Sequence, residues 1–166
     1  MAIKLVIFDA DNTLWSHLDI SKLALPFTLV NGNTISDANT ETFCLFVGIR
    51  ELLSELQRRN IIIALASWNE TKPVKEALRL FGIEKFFKIV KAEFHPNKHL
   101  MIENILSELL KEGIKIEPDE ILYVDDRTVH LERIVERIGP LHFVQMWVDA
   151  KAPNEILKFI EHIQRR

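Results

Sequence analysis

With one cysteine, Cys44, among its 166 residues, the chain cannot form an internal disulfide or a cysteine-based zinc site. Cys44 itself reads as a small, buried or half-buried thiol. Glycine and proline are scarce, at five and six residues, which excludes low complexity and long linkers. No apolar run approaches the ~20 residues that a membrane-spanning helix requires. Met1-Ala2-Ile3-Lys4 leads straight into an apolar stretch without the layout of a signal peptide, so a soluble, cytoplasmic protein is expected. A net charge of -3 provides no general attraction to nucleic acid or acidic membranes, and neither is expected as a partner.

What is present is apolar bulk in a regular rhythm. Hydrophobic residues make up 48% of the chain, enough for a proper core, and the length suits one domain over residues 1–166. Apolar runs at 3–8, 61–66, 86–90, 121–124 and 142–148 read as strands. Between them, 48–59, 71–81, 96–111, 128–138 and 153–164 carry helical spacing, with Pro73 in a first turn and Gly82 and Gly113 just past helix ends. The alternation predicts an α/β fold: a doubly wound, Rossmann-like parallel sheet with helices on both faces. Residues 16–46 break the rhythm. Asn31-Gly32 lies there between Leu29-Val30 and Thr34-Ile35, a hairpin signal, so a short β-hairpin flap is expected after the first strand.

In such a sheet, ligands bind beyond the carboxyl ends of the strands. Asp9, Asp11 and Thr13 follow the first apolar run, Ser67 and Asn69 the second, and Asp125-Asp126 a later one. Lys98 begins a helix that leans over the same rim. Carboxylates gathered at one edge repel one another unless a cation neutralises them, and hard oxygen donors select Mg²⁺. A lysine and a serine add donors for phosphate oxygens, and backbone N–H groups of the turn after the first strand can cradle the same oxygens. The combination points to phosphoryl transfer onto one aspartate, with a second carboxylate two residues on as acid and base.

Phe8-Asp9-Ala10-Asp11-Asn12-Thr13-Leu14 resembles the D-x-D-x-T signature of haloacid-dehalogenase (HAD) superfamily phosphatases. Ser67, Lys98 and Val124-Asp125-Asp126 follow in the order of that superfamily's remaining motifs. The stretches Asp11 to Trp15, Ala66-Ser67, His95-Pro96-Asn97-Lys98 and Asp125-Asp126 are similar to those of its small, capless magnesium-dependent phosphatases. The chain departs from them at Trp68, His95 and Arg127-Thr128. The resemblance implies Asp9 as nucleophile and metal ligand, and Asp11 as general acid/base whose carbonyl also binds the metal. It further implies Ser67 and Lys98 as phosphate ligands. Asn12, Thr13 and Trp68 are candidates for the same subsite, with Thr13 also bracing the turn and Trp68 equally suited to packing under the flap. Asp126 and Asp125 complete the Mg²⁺ site, one directly and one through water, with Asp126 the expected direct ligand.

Simpler roles stand beside these. An Asp or Ser after a strand commonly caps the next helix, Lys91 rivals Lys98 as phosphate anchor, and His95 reads as a partly exposed structural histidine. Trp15 is expected to pack at the base of the flap. A phosphorylated receiver domain also combines an acidic pair, an Asp and a Lys, but with the pair first in the chain. A non-catalytic interaction domain is the other alternative. The expected substrate is a phosphorylated small molecule, such as a sugar phosphate, or a phosphoprotein carrying phosphotyrosine. The expected assembly is a monomer or small homo-oligomer.

Overall fold

The computed structural model describes residues 2–166. In chain order its strands and helices are β1 (Leu5–Phe8), β2 (Thr28–Asn31), β3 (Thr34–Ser36), β4 (Thr42–Cys44), α1 (Ile49–Arg58), β5 (Ile62–Trp68), α2 (Thr71–Leu80), β6 (Ile89–Glu93), α3 (Lys98–Lys111), β7 (Ile121–Asp125), α4 (Leu131–Ile138), β8 (His142–Gln145) and α5 (Glu155–Gln164). The five-stranded sheet has the order β6-β5-β1-β7-β8 and every pairing in it is parallel. The α/β, doubly wound reading is therefore correct.

The central strands explain why their sequences are unbroken apolar runs. Every residue of β1 and β7 is buried, because helices cover both faces. Val6 and Phe8 point into one core with Leu52, Leu53 and Leu56 of α1, Val74 and Leu78 of α2, and Ile156 and Ile160 of α5. Leu5 and Ile7, one residue out of step, point into the other with Met101, Ile102 and Ile105 of α3 and Ile134 of α4. In α1 the buried positions Ile49, Leu52, Leu53 and Leu56 recur at helical spacing, so one stripe faces the sheet. Gly48 opens that helix at φ 94°, a left-handed conformation that a residue without Cβ adopts cheaply.

The chain runs from β1 to β5 and β6 on one side, then returns to β7 and β8 on the other. The winding therefore reverses between β1 and β7, the place where a doubly wound sheet opens a crevice.

Two details differ from expectation. The flap is a three-stranded antiparallel sheet, because β4 adds to the β2–β3 hairpin. Its inner residues Ile35 and Phe43 are buried over Trp15, whose ring lies 6.0 Å from Phe43 and 6.2 Å from Phe81. Trp15 thus packs at the base of the flap, as expected. Cys44, in contrast, is exposed: alternation in β4 turns Phe43 inward and its neighbour outward. Among the described residues, no helix is long and apolar enough to cross a membrane.

Candidate active site

The turn after β1 is pinned on both sides. The Asp9 amide donates to the Val124 carbonyl at 2.9 Å, tying the end of β1 to β7. The Thr13 and Leu14 amides both reach back to the Ala10 carbonyl at 3.1 and 2.8 Å. Within this turn Asn12 takes the left-handed region at φ 56°, which asparagine adopts more readily than most side chains. Its carbonyl accepts from Trp147 Nε1 at 2.7 Å and its amide donates to Asp126 Oδ2 at 3.1 Å. The first loop is therefore hydrogen-bonded directly to the acidic pair.

At the centre, buried Lys98 donates from Nζ to Asp9 Oδ1 at 2.6 Å and to Asp125 Oδ2 at 3.0 Å. Asp125 also accepts from the Tyr123 hydroxyl and from the Arg127 amide. One carboxylate oxygen from each of Asp9, Asp125 and Asp126 lies within 4.8 Å of the others. A single ammonium cannot neutralise three carboxylates. Burial works to raise the Asp125 pKa, but Lys98 and the Tyr123 hydroxyl outweigh it and hold it at about 2. Asp9 is pushed well up, by burial first and then by the Asp125 and Asp126 charges, against the pull of Lys98. Asp126 is raised as well, chiefly by burial. Three clustered carboxylates with one ammonium among them offer hard oxygen ligands and surplus negative charge, which fits a hard divalent cation.

Asp11 stands to one side of this cluster. Its carboxylate accepts from Trp15 Nε1 at 2.8 Å, from Asn69 Nδ2 at 2.6 Å and from the Ile20 amide at 3.4 Å. Burial nevertheless raises its pKa above the ordinary value against those three donors. Asp9, Asp11 and Asp126 open together into a cavity of about 410 Å³, whose other walls are Leu18, Asp19, Trp68, Phe94 and Arg127. Thr13 Oγ1 donates to Asp9 Oδ2 at 3.3 Å. Ser67 is buried near the end of β5, and Trp68, next in the chain, is 43% exposed on the cavity wall.

The residues named from the sequence meet at this one edge, and the rival lysine does not. Lys91 pairs with Glu108 at 3.1 Å and is not among the cavity's lining residues. His95 bonds Glu93 at 2.7 Å and accepts from the Asn97 amide, a structural role. Sequence reasoning placed Asn69 on the rim without seeing its bond to Asp11, and it missed Tyr123, whose one polar atom lies at the end of an apolar strand side chain. It also missed Leu18 and Phe94, which are 80% and 69% exposed and form an apolar collar.

The comparisons with known proteins agree with this fold. The chain is 27% identical over 124 residues to human magnesium-dependent phosphatase 1, covering 74% of this chain and 67% of that protein. A HAD-superfamily hydrolase from Geobacter sulfurreducens shares the fold with a TM-score of 0.66 at 22% identity, covering 95% of this chain and all of that one. A magnesium-complexed phosphatase domain from Bacteroides fragilis gives 0.66 at 18%, with 98% of this chain spanning 40% of that one. The 3-deoxy-D-manno-octulosonate 8-phosphate phosphatase of Moraxella catarrhalis, solved with magnesium and phosphate ions, gives 0.58 at 16%, covering 98% and 88%. Residues 1–146 match the acid phosphatase family, and the chain belongs to that family.

Proposed function

We propose that this chain hydrolyses phosphate monoesters with Mg²⁺ by way of an aspartyl phosphate on Asp9, working as one domain with the flap inserted after its first strand. The observation that carries the reading is the placement of Asp9. One of its oxygens is held by Lys98, and its side chain shares a cavity with Asp11 and Asp126.

Asp9 Oδ attacks phosphorus, the bond to the ester oxygen breaks, and Asp11 gives its proton to the departing oxygen. The raised pKa of Asp11 suits a group that must arrive protonated. Asp11, now ionised, takes a proton from water. The resulting oxygen attacks phosphorus, the bond to Asp9 breaks, and inorganic phosphate leaves. Trp15, Asn69 and the Ile20 amide hold Asp11 for both steps. Ser67, Lys98 and those amides of the turn that are not already bonded to the Val124 or Ala10 carbonyl receive the phosphoryl oxygens, with Asn12 and Thr13 fixing that turn and Trp68 walling the subsite. Asp9, Asp126 and the Asp11 carbonyl would hold Mg²⁺ directly. Asp125 is already engaged by Lys98, Tyr123 and the Arg127 amide, which favours its acting through water. When bound, the ion screens the phosphate charge from the surrounding carboxylates.

Leu18, Trp68 and Phe94 at the cavity mouth favour a leaving group with an apolar part, such as phosphotyrosine, over a bare sugar. A panel of phosphate monoesters with Mg²⁺, including a phosphotyrosine peptide, tests the reading. Turnover that EDTA abolishes and Mg²⁺ restores is expected; no turnover across the panel, or turnover indifferent to EDTA, contradicts it.

A further inference from the structure

The apolar run at 142–148 outlasts β8, which ends at Gln145. The strand stops because the chain turns at Trp147, whose φ of 72° lies in the left-handed region. Glycine and asparagine reach that region cheaply; a bulky aromatic residue does not. The turn is nevertheless held there from several sides. The Val148 and Asp149 amides both donate to the Gln145 carbonyl, at 3.2 and 2.8 Å, and the Trp147 amide donates to the Ala150 carbonyl at 2.7 Å. Asp149 Oδ2 accepts from the Gln145 amide at 2.8 Å, and Lys151 Nζ donates to the Trp147 carbonyl at 2.9 Å. Backbone strain that its surroundings hold this firmly gathers at functional sites.

What the strained turn achieves is the placement of two side chains. The half-buried indole of Trp147 donates from Nε1 to the Asn12 carbonyl at 2.7 Å. Gln145 Nε2 donates to the Asp126 carbonyl at 3.2 Å. One turn thereby grips both loops that carry the clustered carboxylates, and Asn12 Nδ2 links those loops by donating to Asp126 Oδ2 at 3.1 Å. We propose that Trp147 is a positioning residue of the metal site: by holding the Asn12 carbonyl it fixes the turn that carries Asp9, the Asp11 carbonyl and the Asn12 amide, and so sets the affinity for Mg²⁺. This rests on the metal site of the phosphohydrolase reading and deepens it.

Packing alone does not account for the residue. The ring of Trp147 lies 4.5 Å from that of Phe46, at 60°, an edge contact that phenylalanine would also make. The N–H is what phenylalanine lacks, and it is the part aimed at the site. Trp147 is not among the residues lining the cavity, so it acts through Asn12 rather than on the substrate. Groups that hold the ligand-bearing residues in this way commonly set metal affinity.

The test compares the full chain with Trp147→Phe, Gln145→Met and Phe46→Leu. Kd for Mg²⁺ is read from the rise of Tm with ion concentration, which needs no turnover. The Mg²⁺ dependence of kcat for an aryl phosphate is measured beside it. Trp147→Phe should raise Kd about tenfold, within the range typical of lost partners around a metal site. The Mg²⁺ requirement of kcat should shift in parallel, so that excess ion recovers most of the rate. Gln145→Met should act in the same direction. Phe46→Leu loosens the ring packing and keeps both donors, so it should lower the ion-free Tm and leave Kd unchanged.

An unchanged Kd in Trp147→Phe overturns the inference. An equal rise in Phe46→Leu also overturns it, since packing would then be the cause. If Trp147→Phe fails to fold, the unsubstituted chain decides: the indole N–H resonance of Trp147, identified by its Overhauser contact with the Phe46 ring, should shift with Mg²⁺. A resonance unmoved at saturation overturns the inference. A chain that binds Mg²⁺ but hydrolyses no monoester loses the phosphohydrolase reading, while Kd still decides the role of Trp147. Absence of Mg²⁺ binding removes both.

Discussion

The indole Nε1 of Trp15 donates to Asp11 Oδ1 at 2.8 Å. Trp15 is also fully buried beneath the flap, so one side chain couples the packing of that insertion to the carboxylate proposed to handle protons. Asn69, at the end of β5, holds the other oxygen of Asp11 at 2.6 Å. The acid is therefore oriented from two separate parts of the fold.

Trp15→Phe keeps most of the apolar volume and removes one hydrogen bond, worth about 1 kcal/mol to stability. It should lower kcat by about tenfold with little change in KM, because orientation of Asp11 matters to the reaction more than to binding. Asn69→Ala should act in the same sense. A rise in KM at unchanged kcat in both variants would point to substrate binding instead.

Lys98 is the one buried cation among three carboxylates. Removing one partner of a buried ion pair typically costs about 3–5 kcal/mol. Lys98→Met should accordingly lower Tm steeply, and Mg²⁺ should recover part of the loss by neutralising the same charges. Thermal melts with and without the ion check this; a Tm equal to that of the unsubstituted chain contradicts the electrostatic account.

Mg²⁺ binding should itself stabilise the fold, by about 2.7 kcal/mol at a concentration of one hundred times Kd. Asp126→Asn should abolish most of that rise, while Asp19→Asn, which lines the cavity outside the three-carboxylate cluster, should leave it intact. Equal shifts in the two variants would place the ion elsewhere.

Protons report on Asp11 as well. Its pKa is raised by burial, and the first chemical step needs it protonated, so kcat/KM should fall as pH rises through that value. Asp11→Asn should flatten this alkaline limb along with losing most activity. Retention of the limb in the variant would assign it to another group.

Acid stability depends on a different carboxylate. Glu55 accepts from Arg58 at 2.6 Å and from Arg59 at 2.8 Å, and these bonds lower its pKa from 4.5 to about 2. A depressed acid pKa means that the unfolded chain binds the proton more tightly. The stabilisation is therefore complete above about 4.5 and lost as pH falls toward about 2. Urea midpoints over this window should decline less in Glu55→Gln than in the unsubstituted chain; parallel declines would show that the pairs contribute nothing.

Much of this architecture is legible in the sequence, for a physical reason. Strands β1 and β7 are covered on both faces and so must be apolar throughout, and their buried runs end directly at Asp9 and at the Asp125-Asp126 pair. Strand β6 is less legible. It was expected at 86–90 but lies at Ile89–Glu93, because a tight turn takes Glu84–Phe86 and pairing with β5 begins at Ile89. As an edge strand it tolerates Lys91 and Glu93, which interrupt the apolar signal. The bonds from Trp15, Asn69 and Tyr123 were not legible at all. Each depends on where a side-chain tip ends after the flap and sheet have closed, and residue type alone does not carry that.

The central claim is that Asp9 takes the phosphoryl group, and trapping tests it most directly. The enzyme is mixed with a rapidly cleaved aryl phosphate and Mg²⁺, quenched in acid during turnover and reduced with borohydride, which converts an aspartyl phosphate to homoserine. Peptide mass spectrometry should then find homoserine at position 9 and none at 11, 125 or 126. Active enzyme with unmodified Asp9, or with the label at another aspartate, contradicts the account.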